Sequence, residues 1–171
     1  DMQKSEMTER LMLRGIPISF VQDGAQITSD VDLCVFTSAV PEDHPEHTKA
    51  KQLGIPTMSY FEAVGEYMKG FEHAITVSGT HGKSTTTSMI ANIMIDAGLD
   101  PTVIVGTVVK EFGSNARAGG RKYLVVEACE YKEHMLNLHP SMIVLTNIEE
   151  DHLDYYRDLE HIVMTFQKYI N

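Results

Sequence analysis

Between an apolar run, Ala74-Ile75-Thr76-Val77-Ser78, and a helical pattern from Ser84 to Ala97 lies the segment Gly79-Thr80-His81-Gly82-Lys83. A strand that turns through glycines into a helix opening on Lys-Ser admits few folds. This setting gives the short motif its meaning. Gly79 and Gly82 let the backbone turn tightly and bring N–H groups close to phosphate oxygens. The N-terminus of the following helix favours an anion. Lys83 supplies positive charge for terminal phosphates, and the Ser84 hydroxyl suits Mg²⁺. The common form of such a loop has its first glycine where this chain has Val77. The segment therefore predicts a phosphate-binding α/β unit of a variant kind.

In open α/β sheets, ligands collect beyond the carboxyl ends of the strands. Two further predicted strands end in chemistry. In the first, Tyr123–Glu127, Leu124-Val125-Val126 runs into Glu127-Ala128-Cys129-Glu130; in the second, Met142–Thr146, Ile143-Val144-Leu145 runs into Thr146-Asn147-Ile148-Glu149-Glu150-Asp151-His152. A carboxylate that ends a buried strand beside a phosphate loop suits Mg²⁺, which takes oxygen ligands and shares its shell with substrate phosphate. Glu127 is the candidate. The residues alone leave His152 open between a ligand and a surface histidine, with Asp151 beside it to orient the ring. His134, His139 and His161 lack metal spacing and read as surface or structural residues. Cys129 and His134 form no zinc pattern.

The remaining pattern alternates helix and strand, which predicts an α/β fold with parallel sheets. Ser5–Arg14 reads as a helix ended by Gly15, followed by a short strand over Ile18–Val21. Val31–Phe36 reads as a strand buried on both faces. Pro45–Leu53 is a helix closed by Gly54, and Thr57–Ser59 a further strand. Gly15-Ile16-Pro17 and Gly54-Ile55-Pro56 repeat one helix-to-strand grammar. Ser59 and Glu62 form a capping box for a helix with Phe61, Val64, Tyr67 and Met68 on its face. Gly70 is the expected boundary. Beyond it, the helix after the loop is expected to bury Met89, Ile90, Ile93, Met94 and Ala97. The helix Leu159–Ile170 is expected to bury Leu159, Ile162, Val163, Phe166 and Ile170. The two pieces are a Rossmann-like parallel-sheet piece over residues 1–70 and a P-loop-type α/β piece over 71–171.

Composition narrows the function. Of 171 residues, 14 are Lys or Arg and 24 Asp or Glu, a net charge of −10. That balance argues against a non-specific nucleic-acid binder. No apolar run approaches the ~20 residues of a membrane span. Cys34 and Cys129 lie in apolar runs and read as reduced thiols of a cytosolic protein. No oligomeric state is legible. The chain opens on Asp1-Met2-Gln3-Lys4 and stops inside a helical pattern at Ile170-Asn171, as expected of part of a longer protein.

The segments Gly79–Thr85, Glu127-Ala128-Cys129-Glu130-Tyr131 and Thr146–His152 resemble those of the Mur ligases of peptidoglycan synthesis. Thr37–Glu46 resembles that family's Ser-Ala-Ile/Val-Pro…Pro-Glu segment, and Ala97–Thr102 is similarly typical. The resemblance covers essentially the whole chain. It implies a partial UDP-substrate-binding domain (1–70) and a partial central ATP-binding domain (71–171) of an ATP-dependent amide-bond ligase in the cytoplasm. ATP and Mg²⁺, two ions, are the implied cofactors. His81 in the loop, and Thr146 before Asn147, resemble the form that takes UDP-N-acetylmuramate and L-alanine. A murein-recycling tripeptide ligase of the same family shares the histidine but tends to have Asn-Asn at the latter position. A different P-loop kinase or NTPase is the other alternative. Carried over by position, Gly79, Thr80, His81, Gly82, Lys83, Ser84, Thr85 and Asn147 bind nucleotide. Lys83, Glu127 and His152 are catalytic, and Ser84, Glu127 and His152 are metal ligands. The family's Gly-rich UDP loop would precede Asp1, and its adenine- and alanine-binding segments would follow Asn171. These residues alone are therefore expected to bind ATP weakly and not to ligate.

Overall fold

The computed structural model describes residues 3–171; Asp1 and Met2, which open the expected first piece, lie outside the described residues. Two compact units divide between Ala63 and Val64.

In the first unit, α1 (Glu6–Leu13) starts at a reciprocal cap: Ser5 Oγ accepts from the Thr8 N–H, and Thr8 Oγ1 accepts from the Ser5 N–H. Gly15 ends it at φ 79°. The expected strand over Ile18–Val21 does not form. Ser19 Oγ donates to the Val21 carbonyl and accepts the Val21 N–H, so this backbone is satisfied locally in place of a ladder. β1 (Cys34–Phe36) pairs in parallel with β2 (Thr57–Ser59), and α2 (Pro45–Gln52) connects them. β1 is shorter than the expected Val31–Phe36 and buries only alternate residues. Cys34 and Phe36 pack with Ala50 and Ile55, while Val35 is exposed. α3 (Tyr60–Met68) begins at the expected box, with Ser59 N–H on Glu62 Oε2 and Glu62 N–H on Ser59 Oγ.

The second unit holds a five-stranded sheet ordered β5-β4-β6-β3-β7. The strands are β3 (His73–Ser78), β4 (Thr102–Val109), β5 (Ser114–Arg117), β6 (Tyr123–Glu127) and β7 (Met142–Leu145). All neighbours run parallel except β5, which folds back antiparallel on β4. β5 is polar (Ser-Asn-Ala-Arg), so no apolar alternation announces it. Leu124, Val125 and Val126 of β6 are buried without alternation, as a strand covered on both faces requires. One core joins Ala91 and Met94 of α4 (Lys83–Asp96) to Val103, Val105, Val109 and Val125.

Two helix faces differ from expectation for one reason. α4 buries Thr87, Ala91 and Met94, whereas Met89 and Ile93 are 59% and 65% exposed. α5 (Leu159–Ile170) buries Ile162, Thr165, Phe166 and Tyr169, and leaves Leu159 and Ile170 exposed. Each buried threonine bonds back one turn, Thr87 to the Lys83 carbonyl and Thr165 to the His161 carbonyl. That bond satisfies the hydroxyl and lets a polar residue sit on the core stripe. On α3, Gly65 joins Val64 and Met68 on the buried side, and Tyr67 is exposed. A Cβ at Gly65 would lie 2.0 Å from the Asn137 carbonyl oxygen, so the close approach requires glycine.

Tyr169 Oη donates to Thr76 Oγ1 at 2.7 Å, which ties α5 to β3. Burial pushes this phenol from 10.0 to about 12. A raised phenol pKa contributes stability that is present below pH 10 and lost as pH rises towards 12. Tyr169→Phe should therefore lower stability by about 1–2 kcal/mol at neutral pH. It should also flatten part of the alkaline loss, as read by urea titration at a series of pH values.

Candidate active site

β3 lies between β6 and β7, with Val77 opposite Glu127 and Ser78 opposite Leu145. This register gathers the three segments singled out in the sequence at the carboxyl end of the sheet. Gly79 turns the chain at φ 131°, and a Cβ there would lie 2.1 Å from Thr146 Oγ1. Gly82 caps α4 at φ 81° with no side-chain capping bond. The first N–H groups of a helix have no partner inside it, so this end is available to an anion. Thr85 is exposed in that first turn.

The loop is held from the β7 side. Asn147 Oδ1 accepts the His81 N–H at 2.9 Å, and the Asn147 carbonyl accepts the Thr80 N–H at 3.0 Å. Asn147 Nδ2 and Thr146 Oγ1 both approach the His81 carbonyl, at 3.2 and 2.7 Å. Thr80 Oγ1, on a buried side chain, accepts the Glu149 N–H. Asn147 thus holds the shape of the loop, and His81 points its exposed ring towards Glu149 at 3.9 Å.

Lys83 Nζ donates to the Gly79 and Thr80 carbonyls and to Glu130 Oε1, at 2.6, 3.0 and 2.9 Å. All three ammonium protons therefore have acceptors. Ser84 Oγ donates to Glu127 Oε2 at 2.9 Å, and the Gly106 N–H reaches the same oxygen at 2.8 Å. A Cβ at Gly106 would press on that carboxylate at 3.2 Å. A hydroxyl and a carboxylate side by side at the mouth of a phosphate loop are the hard-oxygen donors that Mg²⁺ takes. His152 does not join that pair. Its backbone N–H donates to Asp151 Oδ1 at 2.7 Å, and its Nε2 lies 3.8 Å from Glu130 Oε1. Glu130, Asp151 and His152 offer ligand atoms within 4.8 Å of one another.

Glu130 is the functional candidate that sequence reasoning left unassigned. Its burial comes from the 3₁₀ segment Tyr131–Asn137, in which Lys132 and Glu133 take positive φ, so no helical period marked it. Tyr156 Oη donates to its carbonyl. Gly106 carried a readable signal, since glycine inside a β-branched strand marks a close approach.

The Cys129 thiol is raised above 9.0 by burial, so it is held protonated near neutral pH. Iodoacetamide should alkylate it slowly at pH 7.5 and progressively faster through and above pH 9, as followed by mass spectrometry. Both cysteines are free thiols.

The fold and loop define a P-loop-type nucleotide-binding α/β unit. Sequence profiles make the class more specific. The Mur ligase middle domain matches residues 77–170, and the Mur ligase family catalytic domain matches residues 1–72. The chain belongs to the Mur ligase family. It is 47% identical over 169 residues to UDP-N-acetylmuramate–L-alanine ligase of Clostridium kluyveri, covering 99% of this chain and 37% of that protein. The enzyme of the same name from Acetivibrio thermocellus is 48% identical over 170 residues, covering 99% and 36%. The chain thus spans a little over a third of the length of these relatives. Among solved structures, UDP-N-acetylmuramate-alanine ligase from Thermotoga maritima superposes with a TM-score of 0.84 at 30% identity, covering 99% of this chain and 40% of that one. The UDP-N-acetylmuramate:L-alanyl-γ-D-glutamyl-meso-diaminopimelate ligase from Neisseria meningitides gives 0.85 at 26% identity, covering 99% and 58%.

Proposed function

We propose that this chain forms the nucleotide- and metal-handling part of an ATP-dependent ligase. The reaction joins L-alanine to UDP-N-acetylmuramate through an acyl phosphate, in the synthesis of peptidoglycan precursors. The observation that carries this reading is the gathering of Lys83, the Ser84–Glu127 pair and the Glu130–Asp151–His152 group around one phosphate loop. In this reading residues 1–70 contribute to binding the UDP-substrate and residues 71–171 to binding ATP. Free thiols and nucleotide substrates fit a cytoplasmic protein, and no helix among the described residues is long and apolar enough to cross a membrane.

The chemistry explains the groups. A muramoyl carboxylate oxygen attacks the γ-phosphorus of ATP, ADP leaves, and an acyl phosphate forms. The amine of L-alanine then attacks the acyl carbon, loses a proton, and phosphate departs with the former carboxylate oxygen. Two anions meet in the first step, so fixed positive charge must face them. Lys83 supplies it from the chain. Mg²⁺ held by Ser84 and Glu127, with a second ion at His152, would add charge neutralisation. Gly79, Gly82 and the start of α4 present N–H groups to the phosphates. Thr80, His81 and Asn147 keep the loop in shape, and Thr85 borders it. No covalent enzyme intermediate is required, in keeping with a protonated Cys129.

The Neisseria structure, at a TM-score of 0.85 against 0.84, favours a second reading, ligation of a recycled tripeptide. The higher sequence identity to the alanine ligases and Thr146 before Asn147 favour the first. In a polypeptide of the relatives' full length, ADP release should require both UDP-N-acetylmuramate and L-alanine. Preference for the tripeptide over L-alanine would replace the first reading by the second. ADP release that needs no amine would instead point to a kinase or NTPase.

A further inference from the structure

Glu130 is buried to 3% side-chain exposure, and its Oε2 has no hydrogen-bond partner. A buried carboxylate oxygen without a partner is costly, and natural structures place such groups where a ligand completes them. The other oxygen faces the Lys83 ammonium, with Nζ at 2.9 Å, and the His152 ring, with Nε2 at 3.8 Å. Asp151 brings a second carboxylate into the same 4.8 Å group. The position is built. Tyr156 Oη holds the Glu130 carbonyl, the Tyr131 ring lies 4.7 Å from the His152 ring, and Tyr131 Oη donates to Asp154. His152 is kept at φ 52°, a left-handed backbone, with its N–H on Asp151.

We propose that Glu130 is a shared carboxylate: it holds the Lys83 ammonium in the nucleotide-free protein and passes to a divalent cation bound by Asp151 and His152. Two carboxylates and one imidazole suit Mg²⁺ or Mn²⁺, with water or phosphate filling the remaining positions. Cation binding then withdraws the one carboxylate among the three acceptors of Lys83 and frees that N–H for incoming phosphate, while the Gly79 and Thr80 carbonyls keep the ammonium at the loop. Loading of the metal and readiness of the lysine become one event. The role assigned to Lys83 rests on the ligase reading, but Mn²⁺ binding to Glu130, Asp151 and His152 does not.

The test uses Mn²⁺ on the nucleotide-free protein. Affinity is read by the free-ion electron paramagnetic resonance signal, and the imidazole ligand by its ¹⁴N hyperfine coupling. The wild-type protein should bind Mn²⁺ with a ¹⁴N coupling. Glu130→Gln and Asp151→Asn should each weaken binding at least tenfold and remove the coupling, although His152 is intact. Glu130→Gln keeps an acceptor for Lys83, and melting curves check that each variant is folded. Lys83→Met should tighten Mn²⁺ binding several-fold, because it removes the competing cation. No Mn²⁺ binding by wild type, unchanged binding in Glu130→Gln, or no tightening in Lys83→Met would each overturn the proposal. Lack of alanine-dependent ADP release would overturn the ligase reading alone.

Discussion

Lys83→Ala, in a polypeptide of the relatives' full length, should lower alanine-dependent ADP release by about a thousandfold or more, the scale on which removal of a charge-stabilising group slows such transfers. Lys83 opens α4 directly after Gly82, and its Nζ reaches back to the Gly79 and Thr80 carbonyls. Those contacts hold the ammonium against the loop backbone, and in the proposed reading it serves the terminal phosphate of the nucleotide. In the transfer step, negative charge spreads over the phosphoryl oxygens while a carboxylate approaches. A lysine at 15% side-chain exposure acts there with less solvent screening than a surface residue. Truncation also leaves Glu130 without its counter-ion, so some loss of stability is expected. Circular dichroism at the assay temperature separates that effect from the loss of chemistry. A folded Lys83→Ala variant within tenfold of wild type would contradict the role given to this residue.

Gly79→Ala carries the largest expected structural effect at the site. Its φ of 131° is strained for any L-residue, and the new methyl would meet Thr146 Oγ1 at 2.1 Å and the Asn147 carbonyl oxygen at 2.8 Å. Neither neighbour can retreat without breaking the bonds that hold His81 and Thr80. Strain and overpacking together should destabilise the second unit by roughly 2–5 kcal/mol. Gly82 provides the contrast. It also has positive φ, 81°, but nothing lies within 4 Å of a Cβ there. Gly82→Ala should therefore lose only about 1–2 kcal/mol from backbone strain. Urea unfolding of the two variants should rank them in that order. Equal losses would mean that the contact between Gly79 and Thr146 does not constrain the loop.

The sheet and its ligand-bearing end were legible because its parallel strands print themselves as apolar runs, β7 included, although that edge strand leaves Met142 and Leu145 exposed. Ala74–Ser78, Tyr123–Glu127 and Met142–Leu145 each ended where chemistry began, and the register brings those ends together. Helix faces were less legible. Thr87 and Thr165 occupy core positions that apolar counting assigned to Ile93 and Ile170, because a back-bonded hydroxyl is compatible with burial. Polar β5 and the left-handed residues of the 3₁₀ segment had no periodic signature. The site was legible as a set of residues but not as a set of partnerships. Ser84 with Glu127 followed from the chemistry of Mg²⁺. The attachment of Asn147 to the loop backbone, and of Lys83 and His152 to buried Glu130, arises from contacts across 66 or more residues for the first and 47 and 22 for the others, which no local pattern encodes.

The central claim is that a carboxylate is activated by phosphorylation before the amine attacks. It is tested most directly with UDP-N-acetylmuramate labelled with ¹⁸O in the muramoyl carboxylate, ATP and L-alanine, in a polypeptide of the relatives' full length. The oxygen that attacks the γ-phosphorus leaves with phosphate when the amide forms. The account predicts one ¹⁸O atom transferred to each phosphate released. Unlabelled phosphate formed together with ADP would show that water is the acceptor and would contradict the account.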